Sequence, residues 1–198
     1  PFGENLTLSL EPIVDLYTSQ TEHYRLVATM LNERGHEIAP EMFAHHVAQL
    51  GQRALLDTFV IRETLAILGQ LRQRDGNLCV LVPIGAATLA DRPHLQTILN
   101  YLAAAPDAAG GLVLDINHAV LASLPDASLE GLATLARRGV TLALSQASIA
   151  GIDLAALNKL NVRYVCLAAA SLSLGTKTPA AVTGFIQAAR ALRIQAVI

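Results

Sequence analysis

From about residue 57 onward, the sequence alternates short apolar runs with helix-like stretches. The runs are 4–7 residues long, which is too short for apolar helices and typical of buried strands. Strands that alternate with helices predict βα units and a mainly parallel sheet. The number of units fits either a (β/α)8 barrel or an open doubly wound sheet. The apolar runs are "LCVLVP", "GLVLDIN", "VTLALS", "VRYVCLA" and "IQAVI", and we expect one or two further strands in the first 30 residues.

Capping residues and proline predict where the intervening helices begin. We expect Asp57 to cap a helix that runs to about Arg74, and Asp91 to cap a second helix that starts near Pro93. A third helix is predicted from Asp126 and a short fourth in "LAALNKL". The dipeptide at residues 178–179, Thr-Pro, predicts the start of a last helix that ends near residue 193.

Several functional classes are unsupported by the sequence. No strand is followed by G-x-G-x-x-G or by G-x-x-x-x-G-K-[ST], and "LGTKT" lacks the rest of a phosphate loop. The net charge is −2 without a basic stripe, so we expect no nucleic-acid partner. No apolar run reaches the roughly 18 residues of a membrane span, so we expect no membrane contact by this segment. Cys79 and Cys166 form no metal spacing and indicate buried thiols in the cytoplasm.

In a barrel, functional side chains lie at the carboxyl ends of the strands. Because alternate side chains of a strand share a face, Asp115 and Asn117 are expected to point inward together. The full set of inward-facing residues contains a single acid, Asp115, whereas a hard divalent cation usually needs several oxygen ligands. We therefore expect no metal ion and no cofactor. The complete inward set is Arg25, Pro83, Asp115, Asn117, Ser145, Cys166 and Ala168.

Five segments that span almost the whole chain resemble the EAL domain. They are "LEPIVDLYTSQTEHYRLV", "EIAPEMFAHHVAQLG", "LLDTFVI", "LVLDINHAVL" and "GVTLALSQASIAG". EAL domains are modified (β/α)8 barrels that hydrolyse the bacterial messenger cyclic di-GMP with two metal ions. The resemblance implies an α/β fold of the EAL barrel type over residues 1–198, as one domain of a longer protein and with the barrel incomplete at its C-terminal end.

The same resemblance implies that the catalytic positions have been replaced. The metal-binding glutamate of the Glu-Ala-Leu triplet becomes Arg25, the phosphate-binding arginine becomes Thr29, and the asparagine ligand becomes Pro83. The glutamate of the next strand becomes Asp115, and a glutamine near the substrate base becomes Glu11. The paired aspartates and the lysine and aspartate of the last motif become, in order, Ser145, Gln146, Cys166 and Ala168.

Two-metal hydrolysis needs carboxylates that hold both ions and activate the bridging water. We therefore expect no enzyme activity and no catalytic residues. The resemblance implies a cyclic di-GMP receptor or regulatory scaffold, and the alternative is a barrel that only docks protein partners or a second copy of itself. Residual hydrolysis is a third hypothesis. Within the family the chain is most similar to TipF-type regulators of flagellum assembly, which implies a cytoplasmic domain tethered to the inner membrane through segments outside this chain.

Two interpretations of the pocket residues remain open. Arg25 either clamps a phosphate or forms an internal ion pair with Asp115 or Glu11. Asp115 and Asn117 either contact a guanine or ribose, or satisfy each other and Arg25. The candidate binding residues are Glu11, Arg25, Thr29, Asp115, Asn117, Ser145, Gln146 and Cys166. The residue types of a hydrolase triad are present in Ser145, His118 and Asp115, but His118 should point away from Asp115. His45 and His46 are adjacent in the sequence and therefore cannot form an i, i+4 metal pair.

Overall fold

A computed structural model describes residues 5–14, 19–32, 34–38, 40–168 and 180–197. The chain begins with a β-hairpin of two antiparallel strands, β1 (Leu6–Val14) and β2 (Thr21–Leu31). Glu11 of β1 lies directly opposite Arg25 of β2. A two-residue strand, β3 (Glu37–Ile38), extends the hairpin by pairing with the end of β2. One or two strands were predicted in the first 30 residues, and the structure has β1 and β2 there, whereas β3 was not predicted.

The described remainder of the chain alternates strands with helices, as predicted. The strands are β4 (Val80–Pro83), β5 (Leu112–Asn117), β6 (Thr141–Ala147), β7 (Val162–Leu167) and β8 (Gln195–Val197). The helices are α1 (Pro40–Gln49), α2 (Arg53–Leu71), α3 (Ala86–Ala90), α4 (Arg92–Ala104), α5 (Pro106–Ala109), α6 (His118–Leu121), α7 (Asp126–Arg137), α8 (Leu154–Lys159) and α9 (Ala180–Ala191).

The predicted start of α2 is wrong. The helix begins at Arg53, one turn earlier than predicted, and Asp57 lies inside it with only 2% of its surface exposed. Asp91 does cap α4, because its Oδ1 accepts a hydrogen bond from the His94 backbone nitrogen at 3.1 Å. The predicted helix start at residues 178–179 and the "LGTKT" segment lie outside the described residues.

The strands form one sheet in the order β1-β2-β4-β5-β6-β7-β8, and from β2 to β8 neighbouring strands are parallel. In a flat sheet, β2 and β8 would be roughly 24 Å apart, at about 4.8 Å per strand. Instead, Gln195 of β8 donates a hydrogen bond to Glu22 of β2 at 2.8 Å, and the Tyr164 hydroxyl of β7 lies 3.2 Å from Nε2 of His23 on β2. The sheet is therefore curled into a barrel-like shape, which excludes the open doubly wound alternative.

Alternation along the strands divides the apolar residues into two cores. Side chains such as Val82, Leu114 and Leu144 face outward and pack with the helices in the larger core. The smaller core fills the concave face of the sheet, where Leu81, Val113, Ala143 and Cys166 pack together. The predicted inward orientation of alternate residues is thus confirmed for these strands. None of the helices that the structure describes has the length and apolar character required to cross a membrane.

The amino-terminal end of the concave face is filled by His23, Cys79 and Tyr164. The Tyr164 hydroxyl lies 3.8 Å from the Cys79 sulfur, and its ring meets the His23 ring edge to face. Burial lowers the pKa of His23 and raises the pKa values of Cys79 and Tyr164, so all three side chains favour their neutral forms near pH 7. Polar and charged groups of a binding site are therefore expected at the other end of this face, at the carboxyl ends of the strands.

Candidate ligand-binding site

Four of the residues predicted for the site meet above the inner core. Asp115 on β5 interacts with Arg25 on β2, Ser145 on β6 and Cys166 on β7, and Cys166 also interacts with Arg25. Strand pairing accounts for this arrangement. Arg25 lies beside Leu81 of β4, and on the next strand Asp115 lies between Pro83 and Ala143.

Asp115 is the buried acid of this group. Only 5% of the residue is exposed, and no described residue forms a hydrogen bond with its Oδ1. Burial raises the pKa of Asp115, because the charged carboxylate loses its hydration. The hydroxyl of Ser145, as a hydrogen-bond donor, and the charge of Arg25 act in the opposite direction and offset only part of that shift in the pKa. Asp115 therefore holds its proton to a higher pH than an aspartate in water.

Cys166 is held neutral by the same surroundings. Burial and the nearby Asp115 carboxylate raise the pKa of its thiol to about 11, although Arg25 lowers it. A thiol that is protonated near pH 7 is a poor nucleophile and a poor metal ligand. Cys166 is therefore a neutral part of the pocket floor, in agreement with its expected place in the core.

Arg25 is the cation of the group, and its side chain is only partly exposed. Its Nε atom is buried, and no described residue accepts a hydrogen bond from it. The predicted internal ion pair is not formed in direct contact: neither Asp115 nor the exposed Glu11 lies within the 4 Å of a salt bridge. The cation therefore acts on Asp115 from a distance, and its Nε donor is available for another partner.

The remaining predicted residues lie around this group with different roles. Asn117 does not bond to Asp115: its Oδ1 caps α6 by accepting from the Ala119 nitrogen at 2.9 Å. Gln146 is exposed and has a φ of 51°, at an irregularity in the pairing of β6 with β7. Thr29 follows Arg25 by four residues on β2 and therefore faces the same side of the sheet.

The histidines considered from sequence take no part in the site. Nδ1 of His118 accepts a hydrogen bond from the Ser148 nitrogen at 3.2 Å, so the ring is held by the loop after β6. His45 and His46 are exposed on α1, with ring centroids 6.4 Å apart, as expected for solvated side chains.

The residues present do not fit a two-metal centre. Within the described ranges, no group of three or more His, Cys, Asp or Glu side chains could hold a metal ion. Arg25 and Pro83 stand at two positions where the family has metal ligands. Arg25 places a cation there, and Pro83 has no side-chain atom that could bind a metal ion. No hydrolytic step through metal ions can therefore be derived from the residues that the structure describes.

Sequence reasoning missed the contacts that hold the loop after β4. Oδ2 of buried Asp57 accepts hydrogen bonds from the Gly85 nitrogen at 2.8 Å and from the Thr88 hydroxyl at 2.6 Å, and Oδ1 pairs with Nε of Arg53 at 2.7 Å. The nitrogen of Ile84, one residue before Gly85, bonds to the backbone oxygen of Asp115 at 2.9 Å. Asp57 thus anchors the loop that borders the acid of the site, and an acidic residue inside an apolar helix was the available signal.

The fold and the site together define a class of protein: a curled, mainly parallel βα sheet with its polar group at the carboxyl ends of the strands. The EAL domain model matches residues 3–198, and the chain belongs to the EAL domain family. No curated protein sequence matches the chain. Solved structures of EAL domains share its fold at low sequence identity.

Three of these structures are similar over nearly the whole chain. The EAL domain of FimX from Pseudomonas aeruginosa, bound to cyclic di-GMP, is 21% identical with a TM-score of 0.79, over 97% of this chain and 78% of that one. The FimX EAL domain from Xanthomonas citri, also with cyclic di-GMP, is 18% identical with a TM-score of 0.80, over 98% and 77%. The PaMucR phosphodiesterase, in a cyclic di-GMP complex, is 18% identical with a TM-score of 0.78, over 98% and 84%.

Proposed function

We propose that this chain is a catalytically inactive EAL domain that acts as a cyclic di-GMP receptor or regulatory scaffold in bacterial signalling. The observation that carries the proposal is Arg25, a cation with an unpaired buried Nε on the concave face of the sheet. A guanidinium binds phosphate through charge-assisted hydrogen bonds and can supply countercharge where metal ions are absent. The cyclic di-GMP bound by structural relatives supports a dinucleotide as the ligand.

Membership of the EAL family also supports a place for the domain in cyclic di-GMP signalling within the cytoplasm. The sequence similarity to TipF-type regulators extends this proposal to the control of flagella or related surface structures. In that setting, the domain would report the messenger's concentration to a protein partner, and the site residues would bind without cleaving. The binding residues in this proposal are Glu11, Arg25, Thr29, Asp115, Asn117, Ser145, Gln146 and Cys166.

Calorimetry tests the receptor proposal directly. The purified domain is titrated with cyclic di-GMP to about 100 μM, which detects complexes weaker than micromolar. EDTA is present throughout, so that any binding is independent of metal ions. We expect binding by the wild type and a loss of at least about tenfold in affinity for Arg25→Met, since that change removes a charged hydrogen-bond donor. Arg62→Met is the matched control, because Arg62 is exposed on α2 and pairs with Glu63.

Absence of binding by the wild type would rule out the receptor proposal. Equal affinity in Arg25→Met and Arg62→Met would show that Arg25 is not the phosphate contact. Incubation with cyclic di-GMP and Mg²⁺ or Mn²⁺, followed by chromatography, tests inactivity, and formation of linear pGpG would overturn it.

A barrel that serves only protein contacts is the second candidate. Exposed apolar side chains near the start of the helical part favour it, because Met42 is 58%, Leu50 70% and Leu55 49% exposed. Large exposed apolar side chains can mark interaction surfaces. Sedimentation of the wild type and of a Met42→Ser, Leu50→Ser double variant tests this function. A dimer that is lost in the variant, together with no nucleotide binding, would favour the scaffold over the receptor.

A further inference from the structure

We infer that Asp115 controls the affinity of the pocket for phosphate, and that cyclic di-GMP binds with the Asp115 carboxyl protonated, so that binding takes up one proton. This inference rests on the receptor function proposed above and adds a regulation of that same site. The proton comes from solvent and forms an O–H bond on the carboxyl group, which turns a repelling carboxylate into a possible hydrogen-bond donor. No other bond forms or breaks.

The geometry places the acid and the proposed phosphate contact in one group. Asp115 is 5% exposed, its Oδ1 has no partner among the described residues, and it interacts electrostatically with Arg25 without forming a salt bridge. A phosphate held by Arg25 would therefore come close to a buried carboxyl group whose charge Arg25 does not neutralise by contact. A like charge that close disfavours the ionised acid. Because binding and protonation would favour each other, the ligand should draw a proton onto Asp115.

Among the described residues, the groups around Asp115 leave it as the proton acceptor. From β2 it faces the Arg25 guanidinium, and from β7 it faces the Cys166 thiol, which is already protonated near pH 7. From β6 it faces the Ser145 hydroxyl, and on β4 its neighbour is Pro83, which does not titrate. Burial already raises the pKa of Asp115, so less free energy is needed to complete the protonation.

Two charged or titratable side chains lie further from the acid. Glu11 is exposed on β1 opposite Arg25, and His118 follows the end of the Asp115 strand with its Nδ1 bonded to Ser148. Glu11→Gln therefore tests whether the proton belongs to Glu11 instead. The matched control is Glu130→Gln, because Glu130 is an exposed carboxylate that pairs with Arg92 and lies outside the proposed binding set.

Calorimetry of cyclic di-GMP binding in buffers of different ionisation enthalpy measures the proton uptake. For the wild type between pH 6 and 8, we expect uptake that approaches one proton per ligand, and affinity that falls by up to about tenfold per pH unit. Asp115→Asn mimics the protonated acid, so it should bind without uptake, with an affinity at pH 8 at least about tenfold higher than that of the wild type. Glu11→Gln should still take up the proton whatever its affinity, and Glu130→Gln should match the wild type in both affinity and uptake.

The following outcomes would contradict the inference. Wild-type binding without proton uptake, or weaker binding by Asp115→Asn at pH 8 while its thermal unfolding is normal, would overturn it and leave the receptor function intact. Loss of uptake in Glu11→Gln instead would assign the proton to Glu11. If neither the wild type nor Asp115→Asn binds at any pH from 5 to 8, both the inference and the receptor function fail.

Discussion

Replacing Asp57 by alanine should destabilise the domain more than any change at an exposed helix cap. The Asp57 carboxylate accepts hydrogen bonds from the Gly85 nitrogen and the Thr88 hydroxyl and pairs with Arg53. In Asp57→Ala, these two donors lose their acceptor and Arg53 loses its ion-pair partner at once. Because Thr88 is fully buried, water cannot replace the lost acceptor there without opening the structure.

The expected cost follows from these contacts. A buried donor left without a partner costs about 1–3 kcal/mol, and breaking a buried ion pair costs about 3–5 kcal/mol. The Arg53 side chain is 26% exposed and can regain water, which places the ionic contribution at the low end. The contributions share one carboxylate and are not additive. We therefore expect the free energy of unfolding to fall by about 3–5 kcal/mol.

Urea unfolding followed by circular dichroism measures this loss. The control is Asp153→Ala, because exposed Asp153 caps α8 by accepting from the Ala155 and Ala156 nitrogens, and losing such a cap costs about 1 kcal/mol. Unchanged slopes of the unfolding curves would confirm that the native states remain comparable. A difference of less than about 0.5 kcal/mol between the two variants would refute the view that Asp57 anchors the loop after β4.

Three further predictions concern packing and ionisation. Gly131→Ala should destabilise the domain by at least about 1–3 kcal/mol, because a Cβ there would collide with the backbone oxygen of Leu89, whereas Gly69→Ala on open α2 should be neutral or stabilising in the same urea assay. Iodoacetamide at pH 8 should modify Cys166 only after denaturation, because the pKa of its thiol is raised to about 11; modification of the native protein, seen by mass spectrometry, would contradict this. The folded-state pKa of Asp115 is raised, so its contribution to stability is present at low pH and lost as pH rises through that pKa. The stability of Asp115→Asn relative to the wild type should therefore increase from about pH 4 upward, and a constant difference in urea unfolding would contradict it.

The strands of this fold could be predicted because local sequence carries their signal. Buried parallel strands have apolar residues on both faces, so the runs around Leu81, Val113 and Ala143 stand out from the surrounding helices. The period of two also predicted which side chains face inward, and that placed Asp115 in the pocket. The curl of the sheet could not be derived this way, because it depends on contacts such as Glu22 with Gln195, which are 173 residues apart.

The errors have a common physical cause, which is competition for the same polar atoms. An aspartate ahead of an apolar helix predicts an N-cap, but the Asp57 oxygens bind Gly85 and Thr88, which lie 28 and 31 residues further along. For Asn117, two alternatives were open: contact with a ligand, or hydrogen bonds with Asp115 and Arg25. The Asn117 oxygen instead accepts a hydrogen bond from the Ala119 nitrogen at the start of α6, which bears on the second alternative and leaves the ligand contact a prediction. Local sequence shows that such groups need partners and does not show which partner is closest.

A guanidinium at the position of a metal ligand separates binding from catalysis on chemical grounds. Two metal ions attract phosphate, and they also lower the pKa of a bridging water so that hydroxide can attack. Arg25 can perform the first task through charge-assisted hydrogen bonds. It cannot perform the second, because a guanidinium coordinates no water and does not deprotonate in proteins. The pKa of the Cys166 thiol is raised to about 11, so this thiol is protonated at neutral pH and does not serve as a base there. We therefore expect the loss of the metal ligands to remove hydrolysis, whereas the attraction of a phosphate by Arg25 can survive in the proposed receptor.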